Sequence, residues 1–253
     1  MNLNACNPKR MARAHGTAVW ILVNRREEFG RRMMNRALAA RHGVTEPEVH
    51  HGPEDLSDRI ALFIAQCLCF GADLFFAKRY GHRAVVLETV AAVPGMVGAT
   101  ITHLHCLRHM VGDDGWIRTL MDEAESEPMH LMTFVEIARP TAFERRVVLL
   151  AQGAFYIGHF GRYLASRRTA HRLVGCFEEE AVLSCTLYLD ELESGRMPNP
   201  PAPAIAQHYW KLVDGARLAD VVRAVRADEA VHRDVNHGFA SALTHASARS
   251  GRP

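Results

Sequence analysis

The chain has 253 residues, of which 48% are hydrophobic and 23% charged, so it carries enough apolar material for a sizeable core and too much to be disordered. A net charge of +2 gives no sign of a nucleic-acid partner. The six cysteines form no CxxC pair and no small-scaffold framework, which points to a reducing compartment and to thiols used as small core residues.

The predicted elements, in chain order, are all helical. The first 26 residues contain no Asp or Glu and read as a basic arm. Helical spacing then predicts helices from Val19 to Ala40, Leu56 to Lys78 and His82 to Val111. A GDDG turn follows. Further helices are predicted from Trp116 to Ala138, Ala142 to Ser166, Ala170 to Glu193 and Leu218 to Leu243, with the Pro-rich Met197 to Ala204 as an irregular crossover. The domain organisation expected is an extension over 1–55, a helical-bundle domain over 56–245 and a tail over 246–253. The nearest approach to a membrane span is Ile60 to Ala77, but Gln66 and Asp73 interrupt it, and it reads as a core helix or one lying in a single leaflet.

The chemistry is carried by a spaced series: Glu88, then Glu127-x-x-His130, then Glu178, then Glu229-x-x-His232. Glu, Glu-x-x-His, Glu, Glu-x-x-His is the ligand inventory of a di-metal carboxylate site in a four-helix bundle. A single Glu-x-x-His is worth little, because 17 Glu and 15 His in a chain of this length give about one by chance. A third copy, Glu48-x-x-His51, lies among Pro47, Gly52 and Pro53 and reads as a loop accident.

Helical phasing separates the others from chance. Glu178 shares its stripe with Val174, Val182, Cys185 and Leu189, whereas Glu179 falls with Asp190, and Glu180 with Ser184 and Glu191. Glu88 lies with Val85 and Ala92. Glu127 and His130 lie with Leu120, Ala124 and Phe134, with Glu123 one turn earlier. Glu229 and His232 lie with Val222, Val225 and Phe239. Ionised carboxylates on buried faces are costly unless paired or metal-bound. Carboxylate and imidazole ligands suit iron or manganese better than structural zinc.

At these residues the chain resembles the alternative oxidases. The strings that carry the likeness are RYGHRAVVLETVAAVPGMVG (Arg79 to Gly98), DEAESEPMHLMT (Asp122 to Thr133), HRLVGCFEEEAV (His171 to Val182) and RADEAVHRDVNH (Arg226 to His237). The resemblance implies a ferritin-like four-helix bundle with additional membrane-facing helices, and two Fe ions held by Glu88, Glu127, His130, Glu178, Glu229 and His232. It implies a cyanide-insensitive quinol oxidase that oxidises ubiquinol and reduces dioxygen to water, bound to one leaflet of a membrane and homodimeric. The bacterial cytoplasmic membrane is the expected location, with the matrix face of the mitochondrial inner membrane as the alternative. It places a quinol pocket at Arg83, Leu87, Glu180, Ala181 and Ser184, and supporting roles at His171, Tyr209, Trp210 and Asp228. The helices around Ile60 to Ala77 and after Pro140 would face the membrane, the second flanked by Arg145, Arg146, Arg162, Arg167 and Arg168.

Two departures from the family bear on chemistry. The family has a Tyr seven residues after its third ligand, where this chain has Cys185; Tyr188, one turn on, projects toward the same region in a helix. The departure leaves two alternatives: an oxygen-activating di-iron enzyme with another substrate, or a catalytically impaired homologue. Pro128, where the family has Arg, removes a helical hydrogen bond to Ala124 and biases Glu127 away from helical dihedrals, which predicts a local bulge beside the ligands.

Overall fold

A computed structural model describes residues 50–76 and 80–250. The predicted helix from Val19 to Ala40 lies outside them. The described helices belong to one unit that begins at His51. They are α1 (Leu56–Phe76), α2 (Tyr80–His109), α3 (Trp116–Ala138), α4 (Ala142–Ala165), α5 (Arg167–Glu193), α6 (Ala204–Trp210) and α7 (Leu218–Ser250). Helices α2, α3, α5 and α7 form the bundle, with α1 against α5 and α4 against α2 and α5. Helix α7 runs past position 245, so the expected tail begins as helix.

Helix boundaries follow local chemistry. Asp113 accepts from the N–H of Ile117, and Asp114 and Gly115 take positive φ to turn the chain into α3. Arg139 closes α3 in the left-handed region before Pro140. Thr141 and Glu144 then form a reciprocal capping box that starts α4. Ser166 both ends α4 and caps α5 by accepting from the N–H of Thr169. That cap starts α5 at Arg167, three residues before the predicted start.

The α2–α3 contact is close because Gly95 has no side chain. A Cβ there would lie 2.5 Å from the Leu120 carbonyl oxygen. Gly175 serves α5 and α7 the same way, since a Cβ would sit 2.6 Å from the His237 ring. The apolar core below the site gathers Val85, Phe134, Cys185, Leu189 and Val222. Helix α1 packs Ala61 and Ala65 on Leu173 and Cys176. Buried Asp58 holds α1 in place by pairing with Arg172 and Arg168.

The Pro-rich crossover is more ordered than predicted. Pro201 and Arg217 form an isolated antiparallel bridge, with Ala202 N–H donating to the Ala216 carbonyl at 2.9 Å. Between them sits α6, a short helix that the prolines concealed. Pro128 also departs from prediction: α3 continues as helix through it, with its ring on the exposed face and Glu127 behind it fully buried.

Among the described residues one helix is long and apolar enough to cross a membrane, and it is α2, not the segment from Ile60. Its apolar window is 56% buried, and it carries Glu88 into the core. Exposed apolar side chains are numerous on α1 (Leu56, Phe63, Phe70) and α4 (Phe143, Leu149, Leu150, Ile157, Leu164).

The packing yields a paired prediction. Gly95→Ala should destabilise the chain by about 1–3 kcal/mol through overpacking. Gly153→Ala, with open space around it on α4, should stabilise by up to about 1 kcal/mol through helix propensity. Urea unfolding of both variants checks the two signs.

Candidate metal centre

The six spaced residues converge. Glu88 comes from α2, Glu127 and His130 from α3, Glu178 from α5, and Glu229 and His232 from α7. Their ligand atoms form two tetrads, Glu88–Glu127–His130–Glu229 and Glu127–Glu178–Glu229–His232. Within each tetrad the atoms lie within 4.8 Å of one another. Glu127 and Glu229 belong to both, so the set has two shared carboxylates and a carboxylate with an imidazole at either side.

Each imidazole aims one nitrogen inward. His130 Nδ1 lies 3.2 Å from Glu229 and 3.3 Å from Glu88. His232 Nδ1 lies 2.8 Å from Glu127. The opposite nitrogens define the tautomers. His130 Nε2 donates to Asp228 at 3.1 Å, and Asp228 also accepts from the Trp210 indole N–H at 2.8 Å. The Ser126 hydroxyl donates to the Glu123 carbonyl, so it accepts from His232 Nε2 at 3.0 Å. With a proton on each Nε2, both Nδ1 atoms are available to a metal; in the metal-free cage the raised imidazoles share protons through Nδ1 with the carboxylates they face. The Trp210 ring also stacks on His130 at 5.6 Å.

The electrostatics are those of a cage built for cations. Burial, then the Glu229 charge, pushes Glu88 well above the usual carboxylate range, and the same two causes raise Glu178. Burial opposes ionisation of Glu229, but hydrogen bonds from Glu178, His130 and His232 hold it low. Burial likewise works against charge on His130, yet Glu127 and Asp228 raise it well above the ordinary value. Buried atoms with no hydrogen-bond partner include Glu88 Oε2, both Glu127 oxygens, Glu229 Oε2 and the two Nδ1 atoms. So many orphaned acceptors at one point fit a metal pair.

The other predicted residues fall at graded distances. Asp228 and Trp210 support His130 directly. His171 stands one step back: it bonds Asn236, which bonds Glu123, while its other nitrogen meets the Tyr163 hydroxyl at 3.0 Å. Burial lowers His171 to about 4, so it is neutral. Cys185 is buried beside the cage, its thiol pushed well up by burial and by the charges of Glu229 and Glu88. Tyr188 is buried and stacks on Tyr80 at 5.1 Å. Arg83 and Ser184 bond across α2 and α5, in the region of Leu87, Glu180 and Ala181.

Phasing put only Glu178 on the apolar stripe, but burial extends to its two neighbours. All three glutamates from Glu178 to Glu180 are buried, because α5 is flanked by α1, α4 and α7 at once. Glu179 accepts from His237 and from the His51 N–H. His51 thus serves a separate network and is no part of the cage. Residues that the motif alone did not reveal are Ser126, Asn236 and Glu123. Asn236 sits one turn after His232 on the inward stripe, a signal that phasing could have used.

Glu123 is fully buried, and burial pushes its carboxyl up to about 7 from 4.5. The folded state therefore holds this proton more tightly than the unfolded chain does. Its contribution to stability is complete below the ordinary value and is lost as pH rises through 7, a loss on the order of 3 kcal/mol. Glu123→Gln keeps a bond to Asn236 without a titrating group. Unfolding of the metal-free chain should show the variant gaining on the wild type between about pH 5 and pH 8; a constant difference would contradict this environment for Glu123.

The comparisons agree with the geometry. A family model described as alternative oxidase matches residues 41–241. Ubiquinol oxidase 1a, mitochondrial, of Oryza sativa subsp. japonica is 56% identical over 192 residues, covering 76% of this chain and 58% of the relative. Ubiquinol oxidase 1c, mitochondrial, of Arabidopsis thaliana is 53% identical over 188 residues, covering 74% of this chain and 57% of the relative. Alternative oxidase 3, mitochondrial, of Glycine max is 51% identical over 196 residues, 78% of this chain and 60% of the relative. The chain spans less than two thirds of the length of these relatives. With a match over most of its length and a buried cage of the required composition, the chain belongs to the alternative oxidase family.

Proposed function

We propose that this chain is a cyanide-insensitive ubiquinol oxidase that reduces dioxygen to water at a di-iron centre held by Glu88, Glu127, His130, Glu178, Glu229 and His232. The observation that carries the reading is the pair of buried tetrads sharing Glu127 and Glu229. Two irons bound there would supply the binding and reduction of dioxygen. Two ubiquinols become two ubiquinones and one dioxygen becomes two waters, the electrons and protons passing from quinol to oxygen.

The protein's own part is positioning and proton handling. Asp228 and Ser126 fix the imidazole tautomers. Arg83 and Ser184 bring polar groups to the α2–α5 side, where a quinol oxygen is to be bound, and Glu180 is the nearby carboxylate able to accept a proton. Cys185 and Tyr188 are part of the apolar core beside the cage, and His171 braces α5 against α7 through Asn236.

The same reading places the chain on one leaflet of a quinone-bearing membrane. The exposed apolar faces of α1 and α4 support this, with exposed Arg145 and Arg146 at the start of α4 suited to headgroups. Arg167 and Arg168 leave that role, since Arg167 lies over Trp116 and Tyr163 and Arg168 pairs with Asp55 and Asp58. Exposed Met96, Leu104 and Leu107 on α2, with Met121 on α3, support a homodimer face.

A second reading rests on Cys185, which stands beside Glu229 and Glu88 where the family has Tyr. There the chain is an impaired member, or its substrate is not a quinol. Oxygen uptake by membranes carrying the full chain, with ubiquinol and with cyanide blocking haem oxidases, separates the readings. Weak uptake that rises strongly in Cys185→Tyr is the expected outcome. No uptake in either form, with iron present, would transfer support to another substrate.

A further inference from the structure

The cage has a second side. On the flank formed by α3, α6 and α7 a groove of about 580 Å³ opens to solvent. Its walls include Thr119 and Glu123 from α3, Tyr209 and Trp210 from α6, and Val231 and His232 from α7. His232 is the most exposed of the six cage residues, at 8%, while His130 and Glu127 are at 0%. The groove therefore meets the cage at its most exposed member.

The groove is acidic, and its carboxylates are not equivalent. Asp122 at the rim pairs with Arg118 at 2.8 Å. Asp228 is committed to His130 and Trp210. Glu123 is 97% buried; its Oε2 accepts from Asn236, but its Oε1 has no hydrogen-bond partner. Glu123 belongs to neither tetrad, yet it feels the charges of both His232 and Glu127. A buried carboxylate oxygen with no partner, lining a solvent groove beside a metal cage, is a ligand waiting for a cation.

We propose that this groove is the route by which divalent cations enter and leave the cage, and that Glu123 is the carboxylate that holds each cation in transit. Low-dielectric walls lined by negative groups raise the local concentration of cations. Glu123 then hands the ion to His232 and the two shared carboxylates. The route lies on the flank away from Arg83 and Ser184, so loading does not compete with the site proposed for quinol. The inference rests on the metal reading of the cage.

The test follows cobalt(II) binding to the metal-free full-length chain by rapid mixing, EDTA-driven release, and the final cobalt content. The wild type should take up two cobalt ions per chain, at a rate that falls with ionic strength. Thr119→Trp and Val231→Trp, on opposite walls, should slow loading and release by the same factor and leave content and affinity unchanged. Glu123→Gln should load about tenfold more slowly with full final content. A wild type that binds no cobalt defeats the metal reading itself. Two ions bound at rates that both wall variants and Glu123→Gln leave unchanged overturn the route alone. Lower content in Glu123→Gln would make Glu123 a resident ligand and overturn its transit role.

Discussion

Four carboxylates and two imidazoles meet in the dry centre of this bundle, and the rest of the structure answers to that cost. Ionised groups do not stay in a low-dielectric interior without partners. Here they share protons and charge: Glu178 shares a hydrogen bond with Glu229, and both imidazoles are raised by the acids around them. Glu127 and Glu229 stand in both tetrads, so each half of the cage depends on the other. Cations between them would replace internal compromise with direct neutralisation, which links metal binding to stability.

That constraint explains features far from the cage. The ligand helices must approach closely, so Gly95 faces the α3 backbone and Gly175 faces His237. The imidazoles must present Nδ1, so Ser126 and Asp228 occupy the opposite nitrogens. The crossover after α5 looks like filler in composition, yet its bridge at Pro201 and Arg217 holds α6, which delivers Trp210 to Asp228 and His130. The outer helices are tied by separate polar contacts, Asp58 to Arg172 for α1 and Gln152 to the Thr89 carbonyl for α4. Their apolar side chains Phe63, Leu149, Leu150 and Ile157 stay exposed.

Much of this was legible in the sequence. Among the described residues, periodicity gave α3 at its observed bounds and α1, α2, α4 and α5 within three residues, because each carries an apolar stripe, whereas α7 runs on to Ser250 beyond its expected end at Leu243. The six cage residues were legible because acids on apolar stripes are rare and a His one turn on is rarer. What was not legible has physical causes. Amphipathic phasing assumes one wet face, and α5 has none around Glu179 and Glu180, so phasing left two buried acids off the apolar stripe. Pro128 was expected to distort α3, but a proline on the exposed face leaves the buried ligands in register. Hydrogen bonds between distant segments, such as Asn236 to Glu123, have no local signal.

The central claim is that two metal ions share Glu127 and Glu229 in the middle of the bundle. Anomalous diffraction from crystals of the full chain loaded with ferrous iron tests it most directly. Two iron peaks are expected, one beside Glu88 and His130 and the other beside Glu178 and His232, with Glu127 and Glu229 near both. A single peak, or iron bound outside these six residues, would contradict it.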